Sequence, residues 1–588
     1  MNFPDMRFLS FLGITREPKA PWKKYYNPKK MEINTYDESI YDFVYKRLEK
    51  KGYYNKPAIN YFGNKISYSS FFYKIDRAAE AFKALGVEKF DVISIISANV
   101  PEALIAFYAL NKIGAISNML HPLLSENEIK NALNKYHSSF VIVLDVALDK
   151  VDKILKETSV EKVIVISASN FMPFYLKWLY PLVNKNKPKT NIRFKKKYIT
   201  WNKFINKGYE YGVVRPPYIR RDDPALILQS GGSTGTPKGI VLSQGNVNAA
   251  TVCATHAYPD LNEEDTILGI MPIFHGFGLE VSINDAFSVG ATVILIPTFK
   301  ATEFHKLLIK HKPSVLVGVP TLFEALTSNE GMEGVDLSNL KYVIAGGDTL
   351  SKERVEAINS FLKDHGSKVG MIQGYGMTEA VAAISVDLRD KSRPGTIGIP
   401  WPGIYVGIFE PNTDNELPYG EVGEICICGP TVMLGYYNDE EETNLALKHH
   451  RDGNIWLHSG DLGSMDEDGF ISYKSRLKRM IVSSGYNVYP SQIEEVLMLH
   501  KEVLTCSVIG VPHPYKMEVP KAYIVLTPGI HNRMKVQKEL EDLCKKNLAK
   551  YSIPKEFEFR KSLPKTMVGK VDFRALQEEN KRGRNKNA

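Results

Sequence analysis

The feature that most constrains this chain is a rhythm. Short, apolar runs alternate with longer amphipathic ones. Val92–Ser97, Ala115–Met119, Phe140–Asp145 and Lys162–Ile166 read as strands, and Glu102–Ile113, Glu126–Lys135 and Asp149–Thr158 as helices. A strand that is apolar at nearly every position must be covered on both faces. The intervening helices supply that cover, so the pattern predicts an α/β fold with doubly wound parallel sheets. A helix over Ser39–Lys51, a strand pair around Pro57–Ser69 and a helix from Phe71 to Leu85 come first. Further on, Thr266–Met271, Thr292–Ile296, Val315–Val319 and Lys341–Ala345 look like strands, with helices near Ala301–Lys310, Thr321–Ser328 and Lys352–Lys363.

Beyond Trp401 the pattern changes to alternating strands punctuated by glycine, Tyr405–Phe409, Gly423–Cys428 and Phe470–Tyr473, which suggests a small antiparallel β unit. Past Arg476 comes a compact α+β portion, with helices over Pro490–Leu499 and Met534–Leu548 and strands over Val503–Val511 and Ala522–Leu526. A chain of 588 residues is too long for one core. We expect a large domain over residues 1–476 and a small one over 477–588, ending in an unstructured basic tail from Lys581.

One loop interrupts the rhythm with chemistry. Between the apolar runs Ala225–Leu228 and Ile240–Leu242 lie Ser230, Gly231, Gly232, Ser233, Thr234, Gly235, Thr236 and Lys238. Glycines let backbone N–H groups approach a ligand, and hydroxyls with one ammonium suit a polyphosphate. The pattern lacks the Gly-Lys-Ser/Thr step of a P-loop, so by itself the stretch reads equally well as a flexible connection.

Charge and cysteine usage exclude more than they assign. The net charge of +9 admits an anionic ligand or surface, or simply a lysine-rich chain. Five cysteines show no zinc spacing and no disulfide framework, as expected in a reducing cytosol. No run has the length of a membrane span and the N-terminus lacks the order of a signal peptide, so the expectation is a cytoplasmic protein. Residues 168–200 stand apart. Phe171–Tyr180 is aromatic and apolar, and Lys185, Lys187, Lys189, Arg193, Lys195, Lys196 and Lys197 follow without an acid. Such a segment fits a peripheral membrane contact. It fits equally an insertion packing on its own domain with solvated lysines. No nucleic-acid module is present.

Four further clusters settle the class: Gln373–Glu379, expected in a loop after a strand, Ser459-Gly460-Asp461, expected to offer a carboxylate at a strand end, Arg476–Arg479 and Pro564–Lys570. Each alone is an ordinary turn or basic surface. In this order, and with the glycine loop, the chain resembles the adenylate-forming superfamily of acyl- and aryl-CoA synthetases, luciferases and peptide-synthetase adenylation domains. The likeness covers about Ser39 to Leu576 and is closest to medium- and long-chain fatty acyl-CoA ligases, through the form of the glycine loop and the stretch Gly318–Phe323.

The resemblance implies a two-step ligation. A fatty carboxylate attacks the α-phosphate of ATP to give acyl-AMP and pyrophosphate, and CoA then displaces AMP. It implies that residues 230–238 cradle the β- and γ-phosphates, that Thr378 contacts the α-phosphate and that Glu379 holds Mg²⁺. Tyr375, between Gly374 and Gly376, would stack on adenine opposite Gly346, Gly347 and Asp348. Asp461 would bind the ribose hydroxyls, Arg476 the ribose or phosphate, and Lys570 would stabilise the adenylation transition state. The small domain would swing about Lys478 and bring Gly485 and Tyr486 to CoA, whereas the plain reading of Lys478 is a solvated turn. His275, Gly276 and Gly318 would line the acyl site. His275 stands where amino-acid-activating relatives place an Asp to pair with an α-ammonium, which favours a plain carboxylic acid over an amino acid; the bland alternative is a histidine satisfied in the core. A carrier protein in place of CoA, an aryl acid and a degenerate non-enzymatic binding protein are the other readings. Gly231, Ser459, Gln492 and Arg479 depart from the commonest pattern, where Ser, Thr, Glu and an acid are usual.

Overall fold

The computed structural model describes residues 17–588 apart from 184–187, 193–194, 231–236, 349, 351, 389–391, 394, 484–485, 514, 531, 566–570 and 586–588. Two compact units divide the chain: residues 1–406 with 427–457, and residues 407–426 with 458–588.

The first unit holds two large sheets, and their strands form where the apolar runs predicted them. Val92–Ile96, Ile116–Leu120 and Phe140–Leu144 are buried at every position. They pair in parallel within an eight-stranded sheet, joined by Lys162–Ile166 and Tyr198–Thr200 on one side and by Pro224–Gln229 on the other. Gly239–Ser243 and then Gly435–Tyr436 complete that side antiparallel.

The second sheet has nine strands. Its parallel part runs Met371–Gly376, Tyr342–Gly346, Val315–Gly318, Thr266–Gly269, Thr292–Leu295 and Pro57–Tyr61. Thr266–Gly269 has the next strand, Thr292–Leu295, on one side and the one after it, Val315–Gly318, on the other, so the winding reverses at Gly269. In open α/β sheets such a reversal leaves a crevice beyond the strand ends. Leu268, Leu316, Val343 and Met371 of this sheet pack on Phe304, Leu308, Phe323, Ile358 and Leu362 from the helices.

Caps explain several helix starts. Ser39 accepts a hydrogen bond from the Asp42 N–H ahead of Ile40–Lys51, and Ser125 with Glu128 forms a capping box for Glu126–Lys135. A Ser243–Asn246 box starts the helix Gln244–Ala257, which the sequence pattern did not reveal. Residues Gln244 to Ala254 are all buried, so no polar stripe marks an outer face.

In the second unit, Tyr486–Val488, Ile481–Ser483, Met517–Leu526 and Val503–His513 form a sheet with Glu556–Arg560 beside Met517–Leu526. Ile493, Leu497, Val536 and Leu540 cover one set of its side chains, including Val508 and Ile524, while Leu576 packs with Ile509, Val511 and Tyr523. The tail expectation is corrected here, because Phe573–Asn585 is one helix that takes in residues 581–585. Asp572 caps its first turn by accepting from Arg574 and Ala575, and Arg560 pairs with Glu579 on its flank.

Phe323 is fully buried beneath the nine-stranded sheet. Phe323→Ala should cost about 3–5 kcal/mol in a denaturant titration; a loss below 1 kcal/mol would mean that this core is not packed as described.

Candidate active site

The strand register gathers the acyl- and adenine-side expectations along one sheet edge. Gly318 lies opposite Ala345, and Gly346 opposite Gly374. Met371–Gln373 are buried, whereas Gly374 to Glu379 are half-exposed, so the chain rises out of the core at that edge. Gly374–Gly376 are the last residues of the strand itself, not a loop after it. Gly347 and Asp348 follow Tyr342–Gly346 into solvent. The segment after Gly269 brings half-buried His275, whose N–H donates to the Pro272 carbonyl (3.1 Å).

Two backbone segments meet closely here. A Cβ built on Gly276 would lie 2.0 Å from the Val381 carbonyl oxygen, so only glycine admits this approach. Val381 itself has φ 69°, ψ −63°, a conformation that a β-branched side chain strongly disfavours. Its N–H donates to the Thr378 carbonyl (3.0 Å), closing the turn that carries Thr378 and Glu379. Strain of this kind costs about 1–3 kcal/mol and persists only where packing imposes it. Directly after Gly276 the chain makes a π-helix, Phe277–Asn284, a rare form common at functional sites.

The glycine loop starts from a closed neck. The Ser230 N–H donates to the Lys238 carbonyl (2.9 Å), and the Lys238 N–H donates back to Ser230 Oγ (3.1 Å). Gly231, Gly232, Ser233, Thr234 and Gly235 lie outside the described residues. Lys238 Nζ pairs with Glu442 and lies 4.8 Å from the ring centroid of Tyr436. The Tyr436 hydroxyl in turn donates to Glu379 Oε1 (3.0 Å), and the Met433 N–H donates to the Glu379 carbonyl (2.8 Å). Burial, followed by the Glu379 charge, pushes the Tyr436 phenol well above its ordinary value, so it stays a proton donor. Residues 433–442 thereby link the loop neck on one sheet to Glu379 on the other. Nothing in the sequence pattern marks Tyr436 or Glu442, because each acts on a partner 57 or 204 residues away. The Thr378 hydroxyl and Glu379 carboxylate are hard oxygen donors of the type that Mg²⁺ selects.

In the second unit Asp461 faces Arg476 across an antiparallel pair, with Arg476 Nε 2.8 Å from Asp461 Oδ1. Asp461 was expected at a strand end, but Ile455–Met465 runs through it. Gly460, at φ 68°, turns the backbone locally without ending the strand. Buried Glu424 clamps this turn, accepting the Gly460 N–H (2.9 Å) on one oxygen and pairing with His458 Nδ1 (2.8 Å) on the other. Burial pushes Glu424 up, yet His458 and the backbone donors outweigh it and hold the carboxyl below its ordinary value. Glu424, Cys426 and His458 each bring one donor atom within 4.8 Å of the others.

Lys478 is exposed in the short 3₁₀ turn Leu477–Arg479, and Arg479 pairs with Glu494, which accounts for a base where an acid is usual. Tyr486 begins a short strand, while Gly485 and Lys570 lie outside the described residues.

The AMP-binding enzyme family matches residues 47–437, and the AMP-binding enzyme C-terminal domain matches residues 492–570. The chain belongs to the AMP-binding enzyme family. It is 34% identical over 527 residues to the long-chain-fatty-acid–CoA ligase of Bacillus subtilis, covering 89% of this chain and 92% of that one. It is 31% identical over 523 residues to the probable 4-coumarate–CoA ligase 1 of Dictyostelium discoideum, covering 87% and 90%. The ATP-bound MatB structure from Rhodopseudomonas palustris superposes with TM-score 0.78 over 92% of this chain and 98% of that one. At 24% identity that last likeness speaks for the fold.

Gly276→Ala must push against the Val381 carbonyl, a backbone atom that cannot rotate away. Denaturant titration should show a loss of about 1–3 kcal/mol, together with weakened adenosine-nucleotide binding by calorimetry. Unchanged stability and binding would mean that the two segments part freely.

Proposed function

We propose that this chain is an ATP-dependent, AMP-forming fatty acyl-CoA ligase acting on medium- or long-chain acids. The observation that carries the reading is the gathering of His275, Gly318, Gly346 and the Gly374–Glu379 segment at one sheet edge, tied through Tyr436 to the neck of the glycine loop. That edge offers the Thr378 hydroxyl and the Glu379 carboxylate as polar groups toward a nucleotide.

A carboxylate does not acylate a thiol directly, because oxide is a poor leaving group. In the proposed first step a carboxylate oxygen attacks the α-phosphorus, the bond to the β-phosphate oxygen breaks and pyrophosphate leaves. Two anions must approach, so cations and oriented N–H groups are needed where charge builds. Residues 230–238 would hold the β- and γ-phosphates, with Thr378 at the α-phosphate and Tyr375 against adenine. Gly346, Gly347 and Asp348 would line the other face of the base. Glu379 would hold Mg²⁺, which when bound neutralises phosphate charge. Asp461 and Arg476 would bind ribose, and Lys570 the developing charge. In the second step the CoA sulfur attacks the acyl carbonyl carbon and AMP departs, with Gly485 and Tyr486 beside CoA.

His275 carries no acid to pair with an α-ammonium, which supports a plain carboxylic acid. Small Gly276 and Gly318 leave room for a chain. The expected division at residues 476 and 477, with Lys478 as hinge, belongs to this proposal. So does a membrane contact through residues 168–200, since long fatty acids partition into bilayers. A carrier protein as acceptor remains the rival for the second step, and a requirement for free CoA in single-turnover thioester formation separates the two. No helix among the described residues is long and apolar enough to cross a membrane.

Pyrophosphate release measured across C2 to C18 fatty acids and aryl acids should peak within the C8 to C18 range. A flat response, or a preference for aryl acids, overturns the fatty-acid reading. Lys478→Pro restricts one backbone torsion at the hinge. It should slow thioester formation at least about tenfold more than adenylation, a difference of about 1.4 kcal/mol in barrier; equal losses in both steps would remove the hinge.

A further inference from the structure

We propose that the helix Phe174–Val183 docks its outer face on an anionic lipid bilayer. Phe174, Trp178 and Leu182, spaced four residues apart, are 86%, 75% and 73% exposed, and Tyr175 and Leu179 beside them are 52% and 41% exposed. These five side chains occupy one continuous arc of the helix. Leu176 and Tyr180, on the opposite side, are half-buried. The helix therefore uses one apolar face for its own domain and holds a second, largely aromatic one in water, where a soluble chain seldom leaves a contiguous patch.

Both flanks of the helix are tied down. Ahead of it, the Tyr61 hydroxyl donates to the Ala168 carbonyl (2.7 Å) and Asn64 Nδ2 to the Phe171 carbonyl (2.9 Å). Behind it, Asp149 accepts the N–H groups of Lys189 and Thr190 (2.9 and 2.8 Å), and Asp152 pairs with Lys195. The stripe is thus presented from a fixed platform.

Charge selects the occupant. From Lys162 to Tyr209 the sequence has no Asp or Glu and eleven Lys or Arg. A bilayer with anionic headgroups offers negative charge at its surface and an apolar layer immediately beneath, and aromatic side chains settle at that boundary. Ten residues span about 15 Å, enough to lie in the interface and too little to cross it. The inference rests on the fatty-acid reading for its purpose: a ligase held at the bilayer meets its substrate where that substrate dissolves.

The chain carries its own reporter. Of its five tryptophans, Trp22, Trp201, Trp401 and Trp456 are at most 4% exposed, which leaves Trp178 as the one in water. Vesicles containing phosphatidylglycerol should shift tryptophan emission to the blue, and brominated acyl chains should quench it. Pure phosphatidylcholine should do so more weakly, and added salt should weaken the anionic case. Phe174→Ser with Leu182→Ser, which keeps the reporter, should lower vesicle partitioning at least about tenfold and leave turnover of a water-soluble short acid unchanged. Absence of quenching by brominated vesicles overturns the proposal, as does equal binding by the double variant. A blue shift that grows with protein concentration and needs no lipid would assign the face to a second copy of the chain. The vesicle assay contains no substrate, so it stands or falls separately from the acid panel.

Discussion

The contact on which the site depends is the one between Gly276 and the carbonyl of Val381. It presses the segment leaving the strand Thr266–Gly269 against the turn that carries Thr378 and Glu379. Neither segment could come so close with an ordinary backbone: one contributes a missing Cβ, the other a valine held at positive φ. A valine in that conformation opposes folding by about 1–3 kcal/mol, a fraction of what the surrounding buried core returns. Strain stored beside the residues that bear hydroxyl and carboxylate groups is a cost borne for geometry.

From that contact the connections run outward to the other sheet. Glu379 takes the Tyr436 hydroxyl, Tyr436 lies under the Lys238 ammonium, and Lys238 pairs with Glu442. Each group is partly or wholly withdrawn from water, where a hydrogen bond to a charge is stronger and an unmet one more costly. The loop neck at Ser230–Lys238 is consequently fixed relative to Glu379 by side-chain chemistry, and the short strand Gly435–Tyr436 serves to bring Tyr436 there. In the second unit Glu424 plays a comparable part. One carboxylate holds both the Gly460 N–H and His458, and with them the backbone that leads into Asp461.

Much of the architecture could be read from residue patterns because burial on both faces leaves a direct trace. Val92–Ile96, Ile116–Leu120 and Phe140–Leu144 are apolar along most of their length, as are Thr292–Leu295 and Val315–Gly318. The same logic failed where burial was complete but side chains were small or polar, as in Gln244–Ala257. It failed again at the C-terminus, where basic composition suggested disorder and an Asp572 cap with a Glu579 pairing made a helix. Asp461 was recognised as a carboxylate of interest yet misplaced at a strand end, since a positive-φ glycine redirects a strand without stopping it.

The sequence by itself determined the class of fold and the family, and it named the candidates for chemistry: the hydroxyl-rich glycine loop, Thr378 and Glu379, Asp461 and Lys570. These are local properties, written in short stretches whose spacing survives translation into one dimension. Only the tertiary structure decided which residues hold Glu379, the loop neck and the backbone at Asp461 in place. Tyr436, Glu442, Val381 and Glu424 act across gaps of tens to hundreds of residues, through contacts that carry no periodicity. It also decided that Phe174, Trp178 and Leu182 face outward, because an apolar stripe looks the same in sequence whether the fold covers it or leaves it bare.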